Sequence, residues 1–323
     1  MKVEVGMTNR GRARGHRYWV IALISFGLLA TAPLVGKASL ADKGETQLAP
    51  NPEELIVVEN PLVSQGTDLA PDIQRIVERG KIIVAVFFED VPPFFMHNKK
   101  GEFTGIDVEI AQDIANKLGV EVEFNRSPET FDEIVDVVAN HEADVAISLL
   151  SDTLNRAMRV RFSDSYVELH QTLLINRLEL AKRFPEAETA DEINLALNQP
   201  GIKIGVISGT SYVDFVKETY PLATSVPYED FSVMVEDVTK GTLFALLYDE
   251  LEISNWKYAN PDGGLLLKIV VLDKQKDTIA FAVHRDDVNL LAWLNLYLAK
   301  ARDNGFLDSL LDTYLTRNEW RNQ

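Results

Sequence analysis

The chain has 323 residues, 46% hydrophobic and 25% charged, which suffices for one or two buried cores and excludes disordered, collagenous or coiled-coil architectures for the whole chain. Its 32 Lys and Arg against 49 Asp and Glu give a formal charge of −17, so nucleic acid would be repelled over most of the surface. Cysteine is absent, which excludes disulfide scaffolds, thiolate zinc sites, iron–sulfur clusters and thiol nucleophiles together.

At the N-terminus, Arg10, Arg12, Arg14 and Arg17 precede an apolar stretch from Tyr18 to Val35, and Ser39, Leu40 and Ala41 form the small-x-small pattern of a cleavage site. Residues 1–41 are therefore expected to be a signal peptide, with export to the periplasm. The apolar stretch is near the lower length limit of a membrane span, so an uncleaved anchor is the alternative. No cysteine follows it, which excludes an acylated lipoprotein anchor. Cleavage would remove six Lys/Arg and one Glu, leaving the exported chain near −22. Residues 42–69, rich in Pro, Gly, Glu and Gln, are expected to be a flexible leader.

Pro71 then opens a helix with Ile73, Ile76 and Val77 at helical spacing, ending at Gly80. From Lys81 the apolar period alternates between two and about 3.6, as in an α/β protein. The run 81–88 reads as a buried strand. Asp107 is placed to cap a helix carrying Ile110, Ile114 and Leu118, closed by Gly119. The run 121–125 alternates as a strand, Thr130 and Glu133 have capping-box spacing for a third helix ending near Asn140, and 144–150 returns to strand. Toward the C-terminus, Leu290, Leu294 and Leu298 recur every four residues in a helix spanning 286–304 with Gly305 beyond it.

Two strand-to-helix junctions carry polar groups. After the strand at 144–150, Ser151, Thr153 and Arg156 bring hydroxyls, free backbone N–H groups and a guanidinium to a helix start, a combination suited to a carboxylate. The alternative is a surface arginine paired with Asp152 or Asp164. After a strand at 202–207, Ser208, Gly209, Thr210 and Ser211 form a second hydroxyl-bearing turn ahead of another helix. Ligands of open α/β sheets bind beyond the carboxyl ends of strands, so two such junctions in two lobes would line one cleft.

The chain carries, in order, Val91-Pro-Pro-Phe-Phe, Gly101-x-x-x-Gly105-Ile-Asp-Val-Glu-Ile, Leu118-Gly119, Phe131-Asp132, Ala143-Asp144-Val-Ala-Ile, Thr153-Leu-Asn-Arg156 and Phe162-Ser-Asp-Ser-Tyr166. In these motifs, and on through 201–210 and 279–285, it resembles the bacterial family 3 extracellular solute-binding proteins of polar amino-acid ABC importers. The resemblance implies an α/β, type II periplasmic-binding-protein-like fold with two α/β lobes joined by two crossover strands. Lobe 1 is expected at 70–171 and 281–323, and lobe 2 at 172–280. It further implies a small carboxylate ligand held by Arg156, with Ser151, Leu149 through its backbone, and Phe131 in lobe 1, and Thr210 and Ser211 in lobe 2. The partner would be an ABC permease, the state a monomer, and no cofactor or nucleic acid is involved.

Two departures from the family pattern shape the expected ligand. Where many relatives carry Gly-x-x-Asp facing the ligand ammonium, the matching run is Gly241-Thr-Leu-Phe244, so the counter-charge is expected to be missing unless Asp249 or Glu250 replaces it. Val91 stands where an aromatic is common. Both favour a carboxylate with an apolar or non-amino body. The alternatives are a ligand-sensing module and a periplasmic cyclohexadienyl dehydratase-like enzyme, whose proton donor would come from Glu89, Asp90 or His97. The main expectation is a binder without catalysis. His97, His141, His170 and His284 show no metal-ligand spacing, so no metal site is expected.

Overall fold

One eight-stranded sheet runs through both lobes, because two of its strands are long enough to serve both. The computed structural model describes residues 68–322; the expected signal peptide, and the leader up to residue 67, lie outside them. In chain order the elements are α1 (Pro71–Arg79), β1 (Lys81–Ala85), β2 (Met96–His97), β3 (Phe103–Thr104), α2 (Ile106–Leu118), β4 (Glu121–Asn125), α3 (Phe131–Ala139), β5 (Val145–Ala146) and α4 (Leu154–Ala157). The long strand β6 (Val160–Asn176) follows, then α5 (Arg177–Arg183), α6 (Ala190–Leu197), β7 (Lys203–Ile207), α7 (Tyr212–Thr219), β8 (Thr224–Tyr228), α8 (Phe231–Lys240), β9 (Ala245–Asp249) and α9 (Glu250–Ala259). The second long strand β10 (Leu267–His284) leads into α10 (Val288–Asp303) and α11 (Phe306–Leu311).

The strand order is β4-β1-β5-β10-β6-β9-β7-β8. β10 and β6 pair antiparallel from Leu267↔Asn176 to His284↔Val160, with a register shift between Val271 and Lys276. On one side of that shift they meet the β1, β4 and β5 half, and on the other the β7, β8 and β9 half. The two crossover strands are thus the middle of the sheet, and each half has helices on both faces.

Alternation along the strands feeds both faces at once. In lobe 1, Ile82, Val84, Ile110, Phe281 and Leu294 form one core, and Ala85, Ile134, Val138, Ala146 and Leu150 the other. In lobe 2, Leu173, Ile175, Val206, Val216 and Leu247 pack on one face, while Leu174, Leu246, Met234 and Val238 pack on the opposite one. The three leucines at four-residue spacing in α10, Leu290, Leu294 and Leu298, are fully buried against lobe 1.

Local chemistry explains the junctions. α1 has Pro71 at its start and ends on Gly80 at φ 73°, and α2 ends on Gly119 at φ 71°. Thr130 caps α3 by accepting from the Glu133 amide at 3.1 Å, although the left-handed residue that ends this helix is His141, not Asn140. The Asp107 cap is corrected: Gly105 occupies the cap position of α2, and the Asp107 carboxylate turns inward, accepting from the Leu149 amide and the Tyr166 hydroxyl, each at 2.7 Å.

Candidate functional site

The halves of the sheet meet across a cleft that is closed at its inner end. Ser151 Oγ and Ser211 Oγ are 2.9 Å apart, the Asp132 amide donates to the Gly209 carbonyl at 3.1 Å, and Asn155 Nδ2 donates to Asp214 at 2.6 Å. Further out, Asn255 Nδ2 donates to the Pro92 carbonyl at 3.2 Å. Gly209 is required where the lobes touch. Its φ is 68°, and a Cβ there would lie 2.7 Å from Thr130 Cβ, well inside van der Waals contact.

Arg156 lies in the cleft rather than on the surface. Thr153 caps the short α4 by accepting from the Arg156 amide, and the guanidinium is buried at the inner end with Phe131, Leu149, Ser151, Thr210, Ser211, Tyr248, Asp249 and Asp277 around it. Its Nε and Nη2 donate to Asp132 Oδ1 at 3.1 and 3.0 Å, and Nη1 donates to the Ser151 carbonyl at 3.2 Å. Its ion-pair partner is therefore Asp132, not Asp152 or Asp164. A guanidinium has five N–H donors, so two are left for an incoming anion.

Two expected contacts change character. The Leu149 amide is taken by Asp107, so it is not offered to a ligand, and Leu149 contributes an apolar side chain on a backbone at φ 47°. The Thr210 hydroxyl donates to the Ile207 carbonyl at 2.7 Å and so reaches the cleft already bonded. Phe131 stacks on Phe87 at 4.9 Å, and across the cleft Tyr248 stacks on Tyr212 at 4.8 Å, giving aromatic walls on both sides.

Phe244 is not at the site. β9 runs parallel to β7, and the cleft lies beyond the carboxyl ends of both, at Ile207-Ser208 and at Asp249. Phe244 precedes the opposite end of β9 and packs in the lobe 2 core against Phe184, with Arg183 over its ring at 5.6 Å. The expected missing counter-charge is thereby corrected. Asp249, five residues on, is buried at the cleft and caps α9 by accepting from the Glu252 amide at 2.8 Å. Burial pushes its carboxyl up to about 6, and the backbone hydrogen bonds of the cap oppose this.

A larger outer chamber of about 310 Å³ opens from the inner one. It is lined by Phe87, Phe88, Phe131, Phe231 and Tyr248, and by Glu89, Asp90, Glu129, Glu229, Asp249 and Glu252, with no basic side chain among the described residues. Burial, aided by the nearby Asp249 charge, pushes Glu252 up to about 7. Asp90 goes the other way. Despite some burial, its bonds from His97 and Arg126 hold it below its usual range, so it is a poor proton donor. His97 is exposed and does not line the chamber.

Glu252 and Asp277 were not singled out in the sequence. Glu252 is hidden in an acidic run, and its only signal is its position three residues after a capping aspartate. Asp277 lies among Lys274, Lys276 and Thr278, which read as solvated strand. The structure also gathers His141, His284 and Asp287 with donor atoms within 4.8 Å of one another, a grouping that sequence spacing did not show. It lies past the far end of α3 from the cleft. Asp287 is held there by Arg75 at 2.9 Å and His284 Nδ1 accepts from the Asp286 amide at 3.2 Å.

The family model for bacterial extracellular solute-binding proteins, family 3, matches residues 83–317. A probable histidine-binding protein of Neisseria gonorrhoeae is 24% identical over 257 residues, 78% of this chain and 89% of that protein. The lysine/arginine/ornithine-binding periplasmic protein of Escherichia coli (strain K12) is 26% identical over 232 residues, 70% of this chain and 84% of that protein. Among solved structures, the ancestral amino acid-binding protein AncCDT-1, a precursor of cyclohexadienyl dehydratase, aligns with a TM-score of 0.60 at 26% identity, covering 76% of this chain and 99% of its own.

Proposed function

Because this chain belongs to the bacterial extracellular solute-binding proteins, family 3, we propose that it captures an α-amino acid with a cationic side chain between its lobes and delivers it to the permease of an ABC importer. The observation that carries this reading is that Arg156 and the buried Asp249 both line the inner end of a cleft whose outer chamber has only acids among its charged lining residues. Arg156 would take the ligand carboxylate in a charge-assisted bond, and Asp249 the ammonium. The aromatic walls would hold the aliphatic stem, and Glu89, Glu129, Glu229 and Glu252 would face the distal cation. Bonds to charged groups contribute about 1.5–3 kcal/mol each where water is excluded. The names of the histidine-binding and lysine/arginine/ornithine-binding relatives agree with a basic ligand.

Closure of the lobes on the ligand is the transport-competent form in this reading, because the bonds across the cleft are ones a separated pair of lobes would lose. Delivery from the periplasm fits a chain in which no helix among the described residues is long and apolar enough to cross a membrane. We read the protein as a binder without turnover. One observation favours a second reading, a dehydratase-like enzyme: Glu252 is a half-buried carboxyl in the chamber whose raised proton affinity leaves it protonated over part of the neutral range and so able to donate.

A thermal-shift series with L-arginine, L-lysine, L-histidine, neutral amino acids, 2-oxo acids and dicarboxylates tests the binding reading, since stabilisation grows with ligand concentration over its dissociation constant. The expected result is a concentration-dependent rise for a basic amino acid, which is recovered unchanged. Stabilisation by dicarboxylates or 2-oxo acids alone contradicts the cationic ligand. Turnover of prephenate or arogenate, lost in Glu252→Gln, selects the enzyme.

A further inference from the structure

The inner chamber holds a second buried carboxylate, and one of its oxygens has no partner. Asp277 is 3% exposed on β10, at the middle of the sheet where the lobes join. Its Oδ2 accepts from the Tyr212 hydroxyl at 3.2 Å, while Oδ1 is buried with no hydrogen-bond partner among the described residues. The hydroxyl of Ser151 lies beside it, 2.9 Å from that of Ser211, and lowers its proton affinity without meeting the distance and angle of a hydrogen bond to Oδ1. A buried acceptor left unbonded is expensive, and this one lines the same chamber as Asp249 and Arg156.

We infer that Asp277 is a second amine-binding carboxylate of the cleft, which together with Asp249 holds the ligand ammonium and gives up a proton when it does so. This rests on the reading of an α-amino acid ligand. An ammonium has three N–H donors. Asp249 is already engaged with the Glu252 amide at the start of α9, whereas Oδ1 of Asp277 is unbonded. A group with an amine therefore satisfies Asp277, and a ligand lacking one leaves its buried oxygen unsatisfied. On this account Asp277 determines specificity for the amine.

The surroundings of Asp277 explain the proton. From β9, Asp249 and Tyr248 face it; Tyr212 comes from α7, Arg156 from α4, and Ser151 from the turn before α4. Lys276, next to it on β10, points instead to Glu168 on the surface. Burial pushes Asp277 up to about 7, and the charge of Asp249 adds to this; Ser151, Tyr212 and Arg156 pull it down. In the empty site, below that value, the carboxyl carries its proton. When the ammonium binds with all three of its own protons, the carboxylic proton passes to the buffer and the carboxylate remains to face the cation. The acid form is the one that competes with ligand, so affinity rises with pH through the neutral range and levels off above it.

Calorimetry with L-arginine, at about pH 6 and pH 8 and in two buffers of different ionisation enthalpy, tests this directly. The expected result for the wild type is tighter binding at the higher pH, with a net proton released near neutrality. Asp277→Asn is expected to release fewer protons and to bind about tenfold more weakly at the higher pH. The inference is overturned if Asp277→Asn keeps both the wild-type affinity and the wild-type proton release, a result that leaves the ligand reading intact. Should the variant not fold, binding by the wild type without proton release still overturns the inference. Failure of the wild type to bind any amino acid removes the ligand reading and this inference with it, while unchanged binding in Asp277→Asn removes only the inference.

Discussion

Two buried aspartates in this chain lie in opposite situations. Asp107, inside lobe 1 under α2, accepts from the Leu149 amide and the Tyr166 hydroxyl, so both of its oxygens are bonded. Asp277, between the lobes, has one oxygen bonded to Tyr212 and the other unpartnered. Burial pushes both carboxyls up to about 7, so low accessibility and proton affinity do not distinguish them. Hydrogen-bond completeness does. The first is finished by the fold and holds Leu149 in its left-handed turn, and the second is left to be finished by a ligand.

The largest expected effect follows from the finished one. Asp107→Ala strands the Leu149 amide and the Tyr166 hydroxyl in the core and is expected to destabilise the protein by about 3–5 kcal/mol in chemical denaturation. A loss below about 1 kcal/mol would show that those bonds are not needed. Next is the pH dependence of the ligand-free protein. For Asp107 the folded value of about 7 lies above the ordinary 3.8, so the folded state binds more protons than the unfolded one between those values. Stability is fully present below the lower value and falls as pH rises toward the upper one, by about 1.4 kcal/mol per unit at most. Denaturation midpoints should decline from about pH 5 to pH 7, with Asp249, Glu252 and Asp277 acting in the same sense, and Asp107→Asn should make that decline shallower; a midpoint that rises over this range contradicts the assignment.

Smaller effects probe the meeting of the lobes. Gly209→Ala places a methyl against Thr130 and strains a backbone at φ 68°, so ligand affinity is expected to fall by about tenfold while the separate lobe cores are untouched. Unchanged affinity would mean the lobes need not approach this closely. The smallest is the stability of Asp277→Ala without ligand. Because it removes an unsatisfied oxygen as well as the Tyr212 bond, thermal melting should change by less than about 1 kcal/mol, in contrast to Asp107→Ala.

The sequence made the helices with clear punctuation legible. Pro71 with Gly80, Thr130 with Glu133, and the leucines of α10 all predicted elements that formed, because capping chemistry and a four-residue period are local. Arg156 and Ser151 were legible through a strand-to-helix junction and a family resemblance, and the structure brings them together with Thr210 and Ser211. The amine side was not. Phe244 precedes and Asp249 ends one short strand, and which of its ends faces the cleft depends on the parallel pairing with β7, a non-local fact. Asp107 matched a cap by spacing alone, yet its carboxylate is drawn inward by two donors distant in sequence. Asp277 had no local signal, because its isolation in the cleft arises only where β10 crosses between lobes.

On the proposed reading, the cleft recognises a carboxylate and an amine on the same small molecule. The most direct measurement is a paired calorimetric titration of the wild-type protein with L-arginine and with its analogue lacking the α-amino group, at a pH near 8. Arg156 and Asp249 require saturable binding of L-arginine and binding of the analogue weaker by about a hundredfold, since the latter leaves buried carboxylates without a partner. Equal affinity for the two compounds would contradict the account.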